Sequence, residues 1–212
     1  MAFLGENMET VELSYGQSLY EPHKAVDYLY FPEDSMISLI SETKDGLTVE
    51  VGVVGCEGFV GAGAILERNT IPYRATVQSG GKAHKIRVKA ARKAFSNAGA
   101  FQQQLLSYFL VVHTQIAQSA ICNMFHTVQE RMAKWLLLSV DRTEKSTFAY
   151  TQEFLAMILG ARRTTISRTL KSLEALGLIR TKRASVTVLQ KGQLEAVACE
   201  CYEIIRAELH QL

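Results

Sequence analysis

Residues 151–179 read TQEFLAMILGARRTTISRTLKSLEALGLI, and the fold class turns on them. Thr151 is of the type that caps a helix through its side-chain oxygen, and Phe154, Leu155, Ile158 and Leu159 follow at helical spacing. Gly160 then stops the helix where a sharp turn leaves no room for a side chain. A second helix starts almost at once. Its apolar positions Ile166, Leu170, Leu173 and Leu176 recur at i, i+4, i+7 and i+10, and Gly177 ends it. The opposite face gathers Arg163, Thr164, Ser167, Arg168 and Lys171. Two short helices joined by a glycine turn, the second with an arginine-rich outer face, meet the geometric needs of major-groove reading. An arginine fork can pair with guanine O6 and N7, and small hydroxyls can reach bases or phosphates.

Downstream, Leu178 to Val188 alternates apolar and polar residues, which predicts a two-stranded wing with Lys182 and Arg183 at its tip, facing phosphate. Charge supports this division. The whole chain of 212 residues has a net charge of only +2, too little to argue for any polyanionic partner. Between Thr151 and Gly192, however, eight Lys or Arg stand against two Glu, a local +6 that leaves −4 for the rest. A basic helix face alone is usually just solvated. Helix, glycine turn, basic helix and basic wing in that order make a far more specific signal.

Upstream, from Val11 to about Arg87, the pattern is strand-like: Tyr28 to Phe31, Met36 to Ile40, Thr48 to Val54, Ala75 to Val77 and Ala83 to Val88, with a hairpin signal at Lys44-Asp45-Gly46. Five glycines between Gly52 and Gly63 mark either tight corners or a close backbone approach. From about Phe101 the period becomes helical. Leu105, Phe109, Val112, Ile116, Ser119 and Asn123 form a coiled-coil-like seam, and Leu106, Leu110, His113, Ala117, Ala120 and Met124 lie on another face. A sheet can cover only one of these faces, so the seam is expected to join two copies, with Asn123 setting register. Thr127-Val-Gln-Glu130 reads as a capping box that opens a new helix. Residues 1–126, with the long helix at about 101–126, and residues 127–212 are therefore expected as two domains.

The whole chain resembles the Crp/Fnr family of bacterial transcription regulators, most strongly over Thr151–Ile179. That resemblance implies an α+β protein: an N-terminal jelly-roll-like, cyclic-nucleotide-binding-like β-barrel, a long dimerisation helix, and a C-terminal winged helix-turn-helix. Its base-reading positions fall on Arg163, Thr164 and Arg168, with Ser167 on the same face. Thr164 replaces the acidic residue of the best-known members, so their operator does not carry over. Phosphate contacts are expected from Thr151, Arg162, Thr165, Lys171, Lys182 and Arg183. Double-stranded DNA with a palindromic promoter site and a second copy of the chain follow as partners, with RNA polymerase and a small-molecule effector as further candidates.

The effector pocket implied by the resemblance would involve Gly61, Ala62, Tyr73, Arg74 and Ala75. Glu57 to Ala64 looks like the phosphate-binding cassette, but Ala62 stands where the family has its ribose-binding Glu. Arg74 is either the phosphate-binding Arg or its neighbour, with Tyr73 replacing it. The adenine-contacting hydroxyls would fall near Ile116 and Ala117. These three departures argue against cyclic AMP.

No cofactor, metal or catalytic residue is expected. Cys56, Cys122, Cys199 and Cys201 lack CxxC spacing, no cysteine precedes Cys56, and reduced thiols are the default. Cys199-Glu200-Cys201-Tyr202 resembles a C-terminal signature of one branch of the family. Residues two apart on a helix diverge by about 200°, which predicts structural thiols rather than joint chelation. No apolar run reaches the length of a membrane span, and the N-terminus lacks a signal-peptide layout, so no membrane association and a cytoplasmic location are expected. Two other functions stay open: a ligand-sensing module acting through protein partners, and a cupin-like metalloenzyme, against which the scatter of the five histidines counts.

Overall fold

The structure is a computed structural model that describes residues 7–66, 68 and 70–212. Residues 1–6, part of the segment read for a leader, lie outside the described ones. In chain order the elements are β1 (Met8–Leu13), β2 (Ser18–Tyr20), β3 (Tyr28–Pro32), β4 (Met36–Glu42), β5 (Thr48–Val54), α1 (Ala62–Ile65), β6 (Arg74–Ser79), β7 (Gly81–Arg87), α2 (Val88–Ser96), α3 (Ala100–Phe125), α4 (Val128–Thr143), β8 (Thr147–Ala149), α5 (Gln152–Ile158), α6 (Arg163–Ala175), β9 (Ile179–Lys182), β10 (Ser185–Val188), α7 (Lys191–Glu195) and α8 (Cys201–Leu209).

The N-terminal strands form two antiparallel sheets, β1-β7-β3 and β2-β6-β4-β5, packed over a core that includes Leu13, Leu29, Ile37, Val54, Val77 and Ile86. The expected barrel is thus a pair of open sheets; among the described residues no named strand of one pairs with a strand of the other. Register shifts in β2–β6, β4–β5 and β4–β6 interrupt the ladders and curl the sheets without joining them. The hairpin at Gly46 forms as predicted, with Gly46 at φ +79° and the Thr43 N–H donating to the Leu47 carbonyl. The glycine-rich stretch serves close approach as well as turning. A Cβ on Gly58 would fall within the Tyr108 ring, and one on Gly55 would stand 2.5 Å from Arg142 Cβ.

Helix α3 is 26 residues long. By length and mean composition it is long and apolar enough to cross a bilayer, although polar residues interrupt it so that no unbroken apolar run reaches that length. Its polar groups are fastened to the sheet. Gln115 Nε2 donates to the Val53 carbonyl at 3.1 Å and Ser119 Oγ to the Val51 carbonyl at 3.2 Å.

The expected seam divides accordingly. Leu105 is buried against the sandwich, Val112 is half-buried there, and Phe109 packs edge-on to Phe59. Asn123 finds its partner within the chain, accepting from Arg131 Nη1 at 2.6 Å. Of the six seam residues, Ile116 remains exposed with an apolar side chain. The face left outward is the other one: Leu106, Leu110, His113, Ala117, Ala120 and Met124. The two stripes lie one residue apart, and the sheet takes the face whose Gln115 and Ser119 can satisfy β5 carbonyls.

Thr127 and Glu130 form the predicted capping box, the Glu130 N–H donating to Thr127 Oγ1 and the Thr127 N–H to Glu130 Oε2. Helix α4 then anchors a second core made of Met132, Leu136, Leu137, Leu155, Ile166, Leu173, Ile179, Val186 and neighbours.

Candidate functional site

The helix-turn-helix is built from local chemistry. Thr151 Oγ1 accepts the Phe154 N–H at 3.0 Å and starts α5. Gly160, at φ +53°, adopts the left-handed conformation that reverses the chain, and α6 follows after Arg162. Ile166, Thr169, Leu170 and Leu173 point into the core. Leu176 does not: it is exposed, because Gly177 at φ +71° swings Leu178 inward in its place, the Leu178 N–H donating to the Leu173 carbonyl.

On the outer side, Arg162, Arg163, Thr164, Arg168 and Lys171 are exposed, and Thr165 and Ser167 half-buried. Thr151 is exposed at the start of α5. The structure therefore brings the predicted base-reading residues onto one solvent-facing surface at the N-terminal half of α6. Arg163 Nη1 also meets Glu153 Oε1 at 2.7 Å, an exposed pair of small energy.

The wing pairs β9 with β10, Lys182 opposite Ser185, so Arg183 and Ala184 form its tip. A third strand, β8, lines the other edge of β10. Glu174 fixes the wing to α6, accepting the Thr181 N–H at 2.7 Å and the Thr181 hydroxyl. That backbone hydrogen bond holds the Glu174 carboxyl below its ordinary range. Thr181, Arg180, Lys182 and Arg183 thus stand in fixed relation to Arg168.

The sensor-pocket residues are not brought together in the same way. Gly61, at φ +99°, precedes the single turn of α1 that begins at Ala62. Tyr73 is half-buried and tilted against Tyr20 with ring centroids 6.3 Å apart, and Ala75 is fully buried. Arg74 is directed elsewhere, its guanidinium bonded to Glu21 at 2.9 Å and Glu42 at 3.3 Å. Ile116 and Ala117 lie on the outer face of α3.

Sequence reasoning missed the junction between the two cores. Arg142, on α4 and buried, donates through Nε to Glu57 at 2.7 Å and through Nη2 to Gln115 Oε1 at 2.8 Å, which links α4, the glycine-rich stretch and α3. Nearby, Gln78 on β6 accepts from Trp135 Nε1 at 3.0 Å and donates to Ser38 Oγ and to Glu50 Oε2. Burial pushes the Glu50 carboxyl up to about 7, although Ser38, Lys134 and Arg142 pull the other way. Trp135, the chain's single tryptophan, and Arg142, a charge in the last turn of α4, were the available signals.

The expectation that Cys199 and Cys201 diverge is also corrected. Cys199 precedes α8 rather than lying on it, so helical geometry does not separate the two sulfurs, and both are buried beside Cys122.

A family model for the Crp-like helix-turn-helix domain matches residues 130–197. The solved structure of FixK2 from Bradyrhizobium japonicum is similar with a TM-score of 0.74 at 14% identity, covering 91% of this chain and 98% of that one. The c-di-GMP-responsive global regulator CLP of Xanthomonas campestris gives 0.70 at 18% identity, covering 88% and 96%. A CRP/FNR-family transcriptional regulator of Thermus thermophilus gives 0.70 at 19%, covering 90% and 98%. No curated protein matches in sequence. At these identities the structural likeness establishes the fold.

Proposed function

We propose that this chain, which carries a Crp-like helix-turn-helix domain within a Crp/Fnr-type fold, is a sequence-specific DNA-binding transcriptional regulator and not an enzyme. It works in the cytoplasm as a homodimer on a palindromic promoter site, where RNA polymerase is a candidate further partner. Residues 1–126 are the sensor unit and residues 127–212 the DNA-binding unit.

The observation that carries this reading is the exposed face of α6, where Arg163, Thr164, Ser167 and Arg168 stand together beside a basic wing. Phosphate contacts fall to Thr151, Arg162, Thr165, Lys171, Lys182 and Arg183, which flank that face. Arg168→Ala should cost about 1–3 kcal/mol on the preferred duplex and much less on a scrambled one. Lys182→Ala should weaken both duplexes alike and reduce the salt slope by about one. Titrations on both duplexes at several salt concentrations separate the roles, and equal losses for Arg168→Ala on both would reject this reading face.

Dimerisation is assigned to the outward stripe of α3, Leu106, Leu110, His113, Ala117, Ala120 and Met124, together with Ile116. Met124 is 76% exposed and Leu110 66%, and burying such side chains is worth about 25 cal/mol per Å². Leu110→Glu should therefore yield monomers in sedimentation and lose cooperative operator binding; a wild type that is monomeric at micromolar concentration and still binds tightly would refute the assignment. Cyclic AMP is not the effector on this reading, because Ala62 offers no ribose acceptor and Arg74 is bonded to Glu21 and Glu42. Calorimetric binding of cyclic AMP at micromolar affinity would overturn that statement.

A further inference from the structure

Cys122 lies in the last turn of α3 and His126 is the residue that caps it, its N–H donating to the Cys122 carbonyl at 3.2 Å, which holds the two residues side by side. Cys199 and Cys201 arrive from the start of α8, which packs along that end of the long helix. Cys122 Sγ is 3.5 Å from Cys199 Sγ, and Cys201 Sγ is 3.6 Å from His126 Nδ1. The four donor atoms all lie within 4.8 Å of one another, and among the described residues they form the one group of three or more such ligands placed to share an ion.

These separations have the scale of a coordination polyhedron. A tetrahedral zinc ion with Zn–S of about 2.3 Å and Zn–N of about 2.0 Å sets S···S edges of about 3.8 Å and S···N edges of about 3.5 Å. The imidazole is already oriented for the task. His126 Nε2 lies 3.2 Å from Glu200 Oε1, so a proton held on Nε2 donates to the carboxylate and leaves the Nδ1 lone pair facing the thiols. A carboxylate behind a ligating histidine is the arrangement that fixes tautomer and ring angle at metal sites. Three thiolates around a divalent cation would leave one negative charge, and the Lys134 ammonium beside Cys122 is placed to offset it.

We propose that Cys122, His126, Cys199 and Cys201 form a closed Cys3His site for a tetrahedral, thiolate-preferring divalent cation, zinc above all. Four protein ligands leave no open position, which makes the site structural rather than catalytic. It fastens the last helix to the end of the long helix, beside the Thr127 turn where the second core begins. Each thiol that ligates releases its proton to solvent on binding, and no redox step is involved.

The test uses the full-length chain, purified reduced and without a metal-binding tag, then loaded with zinc or cobalt(II) and desalted. The expected result is about one zinc per chain, with cobalt giving the intense visible bands of a tetrahedral site and thiolate charge-transfer absorption. The Cys199→Ser/Cys201→Ser double variant should lose the retained metal, whereas Cys56→Ser, at an exposed thiol outside the cluster, should keep it. Glu200 is exposed, so Glu200→Gln should fold normally and lower zinc affinity by about 10- to 100-fold in competition with a chromophoric chelator. Folded, reduced wild type that retains neither metal would overturn the proposal. So would full zinc retention in the double variant, unchanged affinity in Glu200→Gln, or a Cys122–Cys199 disulfide in place of bound metal.

Discussion

Arg142→Ala is expected to lower the free energy of unfolding by about 3–5 kcal/mol, because it leaves a buried carboxylate without its partner. The Arg142 side chain is only 2% exposed and that of Glu57 15%, with 2.7 Å between them. Removing the guanidinium also strips Gln115 Oε1 of its donor, in a region where water has little access. The matched double variant Arg142→Met/Glu57→Gln should recover much of the loss, since replacing both members of a buried pair costs far less than breaking it. Urea unfolding of the three proteins at neutral pH checks this. A loss below about 1 kcal/mol for Arg142→Ala would mean that the pair is solvated like a surface bridge.

Glu50→Gln should do the opposite, raising stability at pH 8 by up to about 3 kcal/mol. The ordinary carboxyl value is 4.5 and burial pushes Glu50 up to about 7 in the folded protein. Between those values the folded state holds a proton that the unfolded chain has released, so stability falls as pH rises through that window. Above about 7 the full penalty remains; below 4.5 both states are protonated and it vanishes. A neutral amide carries no such penalty and can keep hydrogen bonds to Ser38 and Gln78. Unfolding free energies of wild type and variant at pH 5 and pH 8 decide the matter, and an equal difference at both would show that Glu50 is ionised throughout without cost.

What could be read in the sequence was what short-range chemistry determines. Thr151, Gly160 and Gly177 mark helix ends because a hydroxyl cap and a left-handed turn are properties of a few adjacent residues, and strand alternation puts the wing's turn at Lys182 and Arg183, one residue short of the Arg183-Ala184 tip in the structure. Leu176 misled because its stripe position is overridden by the turn one residue later. Pairings across the chain were not legible. Arg74 meets Glu21 and Glu42, which are 53 and 32 residues away, so no local register could show that its charge is already engaged. Cys122 and Cys199 are 77 residues apart, and the argument that Cys199 and Cys201 diverge failed because it assumed one helix through both. For α3, periodicity showed two apolar faces one residue apart but held no information on which of them β5 would cover.

The hydrogen bond from Trp135 to Gln78 joins α4 to the sandwich at a point where the chain has placed its single tryptophan. Excited at wavelengths its eight tyrosines do not absorb, this protein therefore emits from one indole, buried, donating to an amide and 6.5 Å from the Phe148 ring. That makes the molecule its own optical gauge. Any ligand of the N-terminal half that shifts β6 against α4 changes the polarity around the indole and moves its emission, whereas a ligand that leaves the junction at rest leaves that emission where it was. Added small molecules can thus be sorted by whether their binding reaches the C-terminal half, with no label attached.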